Sequence, residues 1–356
     1  MDTILFLKPS EGKVMKAVKL SEPNGTVTVQ EVEKPQPSAG EVLIKVEASG
    51  LCYTDVHICD GDWAVLDEQI KRDLTLGHEA IGIVEAVGPG VSDFVVGDRV
   101  AAPFLRSSCG KCKKCRTGHE NHCSQATALG MSHDGSHADF VVALADYIVA
   151  VPDGIAPAQA APLVCAGMTV YGAMRDAGVG VGTNVGVIGV GGQGLYAIQL
   201  GKVMGAKTYA MDLDAAKTEL AMELGADGAF IISDDTDIAA IAYLELDFVI
   251  VTAPSDAAHQ LALAIVAFGG TISLCAVPAG ETPLSMPIAI FKGITFVSQG
   301  VATRQQLKEL LALAADGHIK SHVEIRPLSA APKAIEELRD RSIVGRVVFV
   351  PGLDQS

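Results

Sequence analysis

The six residues Gly189-Val190-Gly191-Gly192-Gln193-Gly194 constrain this chain more than any other stretch, because they join an apolar strand, Val185 to Val190, to a helical segment, Gln193 to Met204. Glycines at such a junction permit a tight turn and let the backbone approach a ligand closely. The helix N-terminus then offers free N–H groups and the positive end of its dipole to a pyrophosphate. In a chain with 37 glycines the motif alone carries little weight. Its second half is Asp212, eighteen residues after Gly194 at the end of the next strand, placed to accept hydrogen bonds from ribose hydroxyls. A carboxylate there repels a 2′-phosphate, so NAD is expected over NADP, with Lys217 a turn later as a further ribose contact. The plainer alternative is a glycine-rich turn that binds nothing.

The same region sets the fold class. From about residue 166 apolar strands alternate with helical segments: strand Val185 to Val190, helix Gln193 to Met204, strand Thr208 to Met211, helix Ala215 to Leu224, then strands Ala229 to Ile232, Asp247 to Val251 and Thr271 to Cys275. Such alternation specifies an α/β fold, a doubly wound parallel sheet covered by helices on both faces. Before about residue 150 short strands separated by turns suggest a β-barrel-like domain: Thr26 to Val32, Glu41 to Ala48, Ala80 to Val87, Arg99 to Ala102, Ala138 to Leu144 and Tyr147 to Val151. Arg304 to Ala315 forms an amphipathic pattern with Leu307, Leu310, Leu311 and Ala314 on one face. A tail helix, Ala331 to Leu338, and strand, Val344 to Val350, are expected to return to the first domain. At 356 residues the chain has room for about two domains.

Composition removes several classes of function. With 49% hydrophobic and 19% charged residues, the chain buries enough apolar surface to fold. Its net charge of −15 repels phosphate backbones and anionic lipid, so neither nucleic acid nor membrane is an expected partner. The apolar run Ile4 to Leu7 is too short for a signal peptide and has no basic segment before it, which makes the cytoplasm the default location. Three long uncharged stretches, Ile155 to Met174, Ala177 to Gly201 and Leu261 to Gly280, are broken by proline or glycine and read as buried strands and helices, not membrane spans.

Four of the 8 cysteines, Cys109, Cys112, Cys115 and Cys123, fall within fifteen residues. That spacing offers the four soft ligands of a structural zinc. An iron–sulfur cluster uses similar early spacing, but here the last cysteine comes eight positions on and no proline follows it. Lys111, Lys113, Lys114 and Arg116 lie among the ligands and are expected to keep the thiolates ionised. A nucleic-acid-binding zinc ribbon is disfavoured by the acidic background, and two disulfides by a reducing compartment. A second group is more dispersed: Cys52 and His57 bracket one segment, and His78, Glu79 and Cys165 lie further on. Singly these are bland. Beside a nicotinamide fold, two thiolates and one imidazole make a zinc site with an open fourth position, the arrangement of a catalytic centre.

The segments Gly50-Leu51-Cys52-Tyr53-Thr54-Asp55-Val56-His57, Gly77-His78-Glu79-Ala80-Ile81-Gly82, Gly97-Asp98-Arg99-Val100, the four-cysteine loop, Cys165-Ala166-Gly167-Met168-Thr169-Val170-Tyr171 and Gly345-Arg346 occur in the order found in zinc-dependent medium-chain alcohol dehydrogenases. The chain resembles most the microbial, tetrameric, NAD-dependent branch of that family. The resemblance implies a GroES-like catalytic domain, 1–165 and 301–356, carrying a structural zinc loop at 106–124, around a Rossmann NAD-binding domain, 166–300. It implies Cys52, His78 and Cys165 as ligands of the catalytic zinc, Glu79 as the acidic neighbour that can swing onto the metal, and Asp55 as the carboxylate that orients the zinc-bound histidine. Reversible hydride transfer from a primary or simple secondary alcohol to NAD would then follow a zinc-alkoxide mechanism. In it Thr54 takes the substrate proton, a ribose hydroxyl passes it on, and His57 is the outer end of the relay at the surface. Gly189, Gly191, Gly192, Gln193, Gly194, Asp212, Lys217, Thr169, Val277 and Arg346 are implied at the cofactor. Trp63, Phe104 and Val277 fall where side chains line the pocket. Tyr53 departs from the pattern, since many members place Arg or His there against the pyrophosphate. Two zinc ions per chain and a homotetramer, pairing through the last sheet strand at Thr295 to Ser298, are further implications. The competing readings are a zinc polyol or amino-alcohol dehydrogenase, a quinone reductase of the superfamily, which normally lacks both zinc sites, and a non-catalytic, zinc-stabilised nucleotide sensor. Cys59 and Cys275 are left without a metal role.

Overall fold

The computed structural model describes residues 14–353, so the run Ile4 to Leu7 lies outside the described residues. Six parallel strands stand in the spatial order Gly228–Ile231, Lys207–Asp212, Asn184–Ile188, Leu246–Val251, Val266–Leu274, Thr295–Ser298. The order reverses between Asn184–Ile188 and Leu246–Val251, and ligands of such sheets bind beyond the carboxyl ends of the strands at that reversal. Side chains alternate across the sheet. Val185, Val187, Phe248 and Ile250 enter a core shared with helices Ala166–Asp176 and Gly194–Met204, while Ile188, Val249, Val251 and Met211 enter a second core with helix Asp256–Ile265. Burial on both faces is why these strands read as unbroken apolar runs.

The earlier part of the chain builds a mainly antiparallel sheet in the order Val149–Ala150, Arg99–Ala102, Ala80–Val87, Glu41–Gly50, Arg346–Phe349, Val323–Arg326, with Phe140–Leu144 also paired to Glu41–Gly50. A three-stranded sheet of Val27–Glu33, Val14–Leu20 and Leu74–Thr75 lies beside it. The tail does return: Val348 pairs with Gly50 and Phe349 with Ser49, and the Leu51 N–H donates to the Val347 carbonyl at 2.9 Å. This late pairing sets Arg346 beside the segment that carries Cys52.

Several boundaries move. The strand expected over Tyr147 to Val151 is a 3₁₀ turn, Ala145–Tyr147, and the short strand Val149–Ala150. The strand expected from Thr271 begins at Val266, and Val14–Leu20 and Val323–Arg326, with the short strands Leu74–Thr75, Leu105–Ser107 and Thr127–Ala128, were not anticipated. Lys16 and Lys19 obscure the first of these. Lys19 is nevertheless buried, with its ammonium donating to the Asp73 carbonyl at 2.5 Å.

Candidate active site and metal centres

Cys52 caps the N-terminus of helix Tyr53–Asp60, which begins directly after strand Glu41–Gly50. His78 and Glu79, both fully buried, precede strand Ala80–Val87, and Cys165 precedes helix Ala166–Asp176. One ligand atom from each of Cys52, His78, Glu79 and Cys165 lies within 4.8 Å of all the others. The two sulfurs are 4.0 Å apart. Two thiolates on a tetrahedral zinc, at about 2.3 Å each, stand about 3.8 Å apart, whereas a disulfide needs about 2.05 Å. His78 is wholly buried and neither ring nitrogen has a hydrogen-bond partner. Such an orphaned nitrogen beside two thiols is what a zinc ligand looks like. As a thiol pair, the hydrogen bond from Cys165 holds Cys52 well below the usual thiol range, helped by His78, and pushes Cys165 up.

Asp55 holds this site from behind. One oxygen accepts from the Gly77 N–H at 3.1 Å and lies 3.7 Å from His78 Nδ1. The other accepts from the Cys52 N–H at 3.0 Å and lies 3.5 Å from His137 Nε2. Burial works against the charge, but the pull of His137 and His78 wins and keeps the carboxyl well below the usual range. His137, in turn, hydrogen-bonds Ser49 Oγ at 2.7 Å through Nδ1. Glu79 meets the Arg346 guanidinium at 2.6 Å, and Arg346 also donates to the Leu51 carbonyl at 2.7 Å. Burial pushes the Glu79 carboxyl up to about 7 against that cation.

In the loop Cys109, Cys112, Cys115 and Cys123 each bring a sulfur within 4.8 Å of the rest. Backbone N–H groups point at these sulfurs, from Cys112 to Cys109 at 3.3 Å and from Cys109 and Gln125 to Cys123 at 3.4 Å. The donor set fits a closed tetrathiolate zinc. The backbone amides of Lys111 and Cys112 bring Cys109 down to about 6, and Ser108 lowers Cys115.

The glycine turn leaves strand Asn184–Ile188 at the reversal point. Gly189 has φ +90, and a Cβ on Gly194 would lie 2.1 Å from the Gly189 carbonyl oxygen, so strand and helix meet only through glycine. A Cβ on Gly191 would meet nothing within 4 Å, while one on Gly192 would lie 2.4 Å from Arg346 Cδ. Arg346 therefore spans the two sites, its guanidinium on Glu79 and its stem on the turn. Asp212 ends its strand and accepts from the Val190 N–H at 2.6 Å and the Asp214 N–H at 3.1 Å. Thr252 donates to the Gly189 carbonyl at 2.5 Å.

Models of two domain families match, the alcohol dehydrogenase GroES-like domain over residues 38–153 and the zinc-binding dehydrogenase domain over residues 192–316. An alcohol dehydrogenase from Geobacillus stearothermophilus is 39% identical over 339 residues, covering 94% of this chain and 99% of the relative. The chain belongs to the zinc-binding medium-chain alcohol dehydrogenases. The alcohol dehydrogenase of Aeropyrum pernix has a similar structure, with a TM-score of 0.87 at 30% identity over 94% of this chain and 100% of that one. An acetophenone reductase from Geotrichum candidum, solved with NAD, gives 0.84 at 29% identity over 96% and 98%. The fold is accordingly the α/β combination of a GroES-like domain with a Rossmann-type sheet, and the chemistry is oxidoreduction of a small molecule with zinc and a nicotinamide cofactor.

In this dehydrogenase Thr54 and His57 lie one turn apart on helix Tyr53–Asp60. Phe104 packs edge-on to His78 at 5.3 Å between ring centroids. Trp63 lies 4.9 Å from His57, and Tyr53 turns its edge to the same imidazole at 4.9 Å. His57 is not at the surface: only 5% exposed, it hydrogen-bonds Asp62 at 2.6 Å. Thr169 is buried and donates to the Gly300 carbonyl at 3.3 Å. Val277 is half-exposed beyond strand Val266–Leu274, and Lys217 sits on helix Ala215–Glu223. Residues that sequence reasoning missed are His137, Ser49, Thr252 and Asp62. Each is an ordinary polar residue until folding supplies its partner.

Proposed function

We propose that the chain oxidises primary or simple secondary alcohols reversibly with NAD, using one catalytic and one structural zinc per chain. The observation that carries this reading is the convergence of Cys52, His78, Glu79 and Cys165 on one point, with Arg346 joining that point to the glycine turn. Cys52, His78 and Cys165 would hold the catalytic zinc, Glu79 would stand by as its carboxylate neighbour, and the four-cysteine loop would hold the structural ion. When bound, zinc supplies Lewis acidity toward an alcohol oxygen and the nicotinamide accepts a hydride. Asp55 orients His78 through its Nδ1 side. Phe104 and Trp63 supply apolar walls that exclude water, with Val277 and Thr169 beside the cofactor. Thr54 takes the hydroxyl proton, and His57, three residues on and so on the same helix face, is the next group to receive it.

Gly189, Gly191, Gly192, Gln193 and Gly194 would hold the pyrophosphate, with Arg346 as its cation. Asp212, already oriented by the Val190 N–H, and Lys217 would meet the ribose, which favours NAD over its 2′-phosphorylated form. Tyr53 is engaged with His57, so the phosphate grip lacks a cation at that position. We assign 1–165 and 301–356 to the catalytic domain and 166–300 to the coenzyme domain. A homotetramer pairing through Thr295–Ser298 is supported by the exposed apolar side chains Phe268, Ile290 and Phe291. None of the eight cysteines is joined in a disulfide, which suits a reducing, cytoplasmic setting. Among the described residues no helix is long and apolar enough to cross a membrane.

The test is a panel of ethanol, butanol, simple secondary alcohols and polyols, each with NAD and NADP, alongside zinc quantitation. NAD-dependent turnover of plain alcohols with two zinc per chain supports the reading. Preference for polyols or NADP overturns the substrate or cofactor assignment, and no turnover at all leaves the nucleotide sensor.

A further inference from the structure

His57 occupies an unexpected place for the outer end of a proton path. Its ring is 5% exposed and is held between Tyr53 and Trp63, each 4.9 Å away between centroids. Its Nδ1 lies 2.6 Å from Asp62 Oδ2, and the Asp62 side chain is 25% exposed. The nearly buried imidazole thus has a partly exposed carboxylate against its Nδ1.

The backbone fixes this arrangement. Helix Tyr53–Asp60 ends at Gly61, whose φ of +65 is left-handed. A Cβ there would lie 2.6 Å from Asn24 Nδ2, a second reason for glycine. The N–H groups of both Gly61 and Asp62 donate to the His57 carbonyl, Asp62 at 3.1 Å. Asp62 is therefore anchored to His57 by main chain and side chain together. The other nearby carboxylate on this segment, Asp60, is turned away and paired with Arg339 of helix Ala331–Arg339 at 2.7 Å. Tyr53 and Trp63 meet the ring by their aromatic faces and edges, which leaves Asp62 as the charged group at the imidazole.

Resting on the alcohol dehydrogenase reading above, we propose that Asp62 is the positioning residue of the proton path, selecting the His57 tautomer and compensating the charge His57 gains. An ionised carboxylate at Nδ1 requires the proton to sit on that nitrogen, so the lone pair stands on Nε2 and can accept. When Nε2 gains the proton from the hydroxyl side, an N–H bond forms there and the ring becomes an imidazolium. Asp62 neutralises that cation on a nearly buried ring. The same Nε2 proton is later released to water or to buffer base, which restores the starting tautomer. The logic is that of a carboxylate behind a general-base histidine, where replacing Asp by Asn reverses the tautomer and removes the base.

The test compares wild type, Asp62→Asn, Asp62→Glu, His57→Gln and the Asp62→Asn/His57→Gln double variant. It reads alcohol oxidation from pH 6 to 9, NADH affinity by fluorescence, zinc content, and the His57 tautomer by ¹⁵N NMR. Asp62→Asn is expected to slow oxidation about tenfold or more, with zinc content and NADH affinity unchanged and Asp62→Glu restoring much of the rate. Its residual rate should climb with imidazole buffer concentration, while the double variant should be no slower than His57→Gln alone. A wild-type rate in Asp62→Asn, multiplicative losses in the double variant, or an Nε2–H tautomer in wild type each overturn the proposal. A wild type that oxidises no alcohol yet shows the Nδ1–H tautomer sinks the dehydrogenase reading instead and leaves the Asp62–His57 pairing standing.

Discussion

Each oxygen of Asp55 serves a segment of the candidate metal site: one takes the Gly77 amide next to His78, the other the amide of Cys52 itself. The proposed metal ligands are therefore positioned by one buried carboxylate whose charge is held by two histidines. Two substitutions separate the roles at this scale. Cys52→Ala should abolish turnover and remove one zinc per chain, while NADH still binds, as metal analysis and fluorescence titration would report. His57→Gln should slow oxidation chiefly at low pH, where external base is scarce, and a mutant to wild-type ratio that stays flat from pH 6 to 9 would count against a relay. Cys59 and Cys275 need no such test as metal ligands, because burial pushes each thiol up to about 12 and neither joins a ligand cluster. Cys52, His78 and Cys165 could be picked out as candidates because the segments that carry them resemble the family's motifs. His137 was not, since its meaning comes from Ser49 and Asp55, which lie more than eighty residues away.

At the level of elements, the glycine turn separates packing from binding. Gly194→Ala forces a Cβ to 2.1 Å from a carbonyl oxygen, which should cost about 1–3 kcal/mol in a denaturant titration. Gly191→Ala meets nothing, so stability should hold while NADH affinity falls, because the new methyl occupies the side open to phosphate. Equal effects of the two changes on stability would remove that distinction. Asp134 shows a different kind of junction: it accepts from the Thr75 N–H at 2.8 Å and from Lys71 at 2.9 Å. Burial opposes its charge, but the Thr75 amide and Lys71 lower its pKa below the ordinary 3.8. Stabilisation from this group is present above that value and is lost as pH falls through the folded one. Asp134→Asn should thus cost about 1 kcal/mol at neutral pH, kept small by solvent screening, with the difference from wild type shrinking below about pH 4. Strands such as Ala80–Val87 and Arg99–Ala102 were read to the residue because their apolar and turn signals agree. Val14–Leu20 escaped notice because its lysines interrupt the pattern and only the fold shows Lys19 bonded inward.

For the whole molecule, the last strand of the parallel sheet is also its edge, and the exposed Phe291, 83% accessible, lies on the helix just before it. Phe291→Glu should shift the assembly to smaller species in light scattering while leaving secondary structure intact. An unchanged mass would argue for a different interface. Chelation should lower the melting temperature of the holoenzyme before it affects the cores, because the four-cysteine loop has little secondary structure of its own.

The sequence by itself determined the family, the doubly wound sheet and the candidates for both proposed ligand sets, because periodic burial, a glycine turn with its acid and cysteine spacing are short-range signals that survive without coordinates. The spatial order of the six strands, Gly228–Ile231 through Thr295–Ser298, was read only from the structure. Only the tertiary structure decided which groups close the sites. The pairing of Phe349 with Ser49 brings Arg346 between Glu79 and Gly192, Asp55 gains a second histidine, and Asp62 bonds to His57. The reason is physical: the first set depends on how a segment buries itself, the second on which buried charges meet when distant segments are brought together.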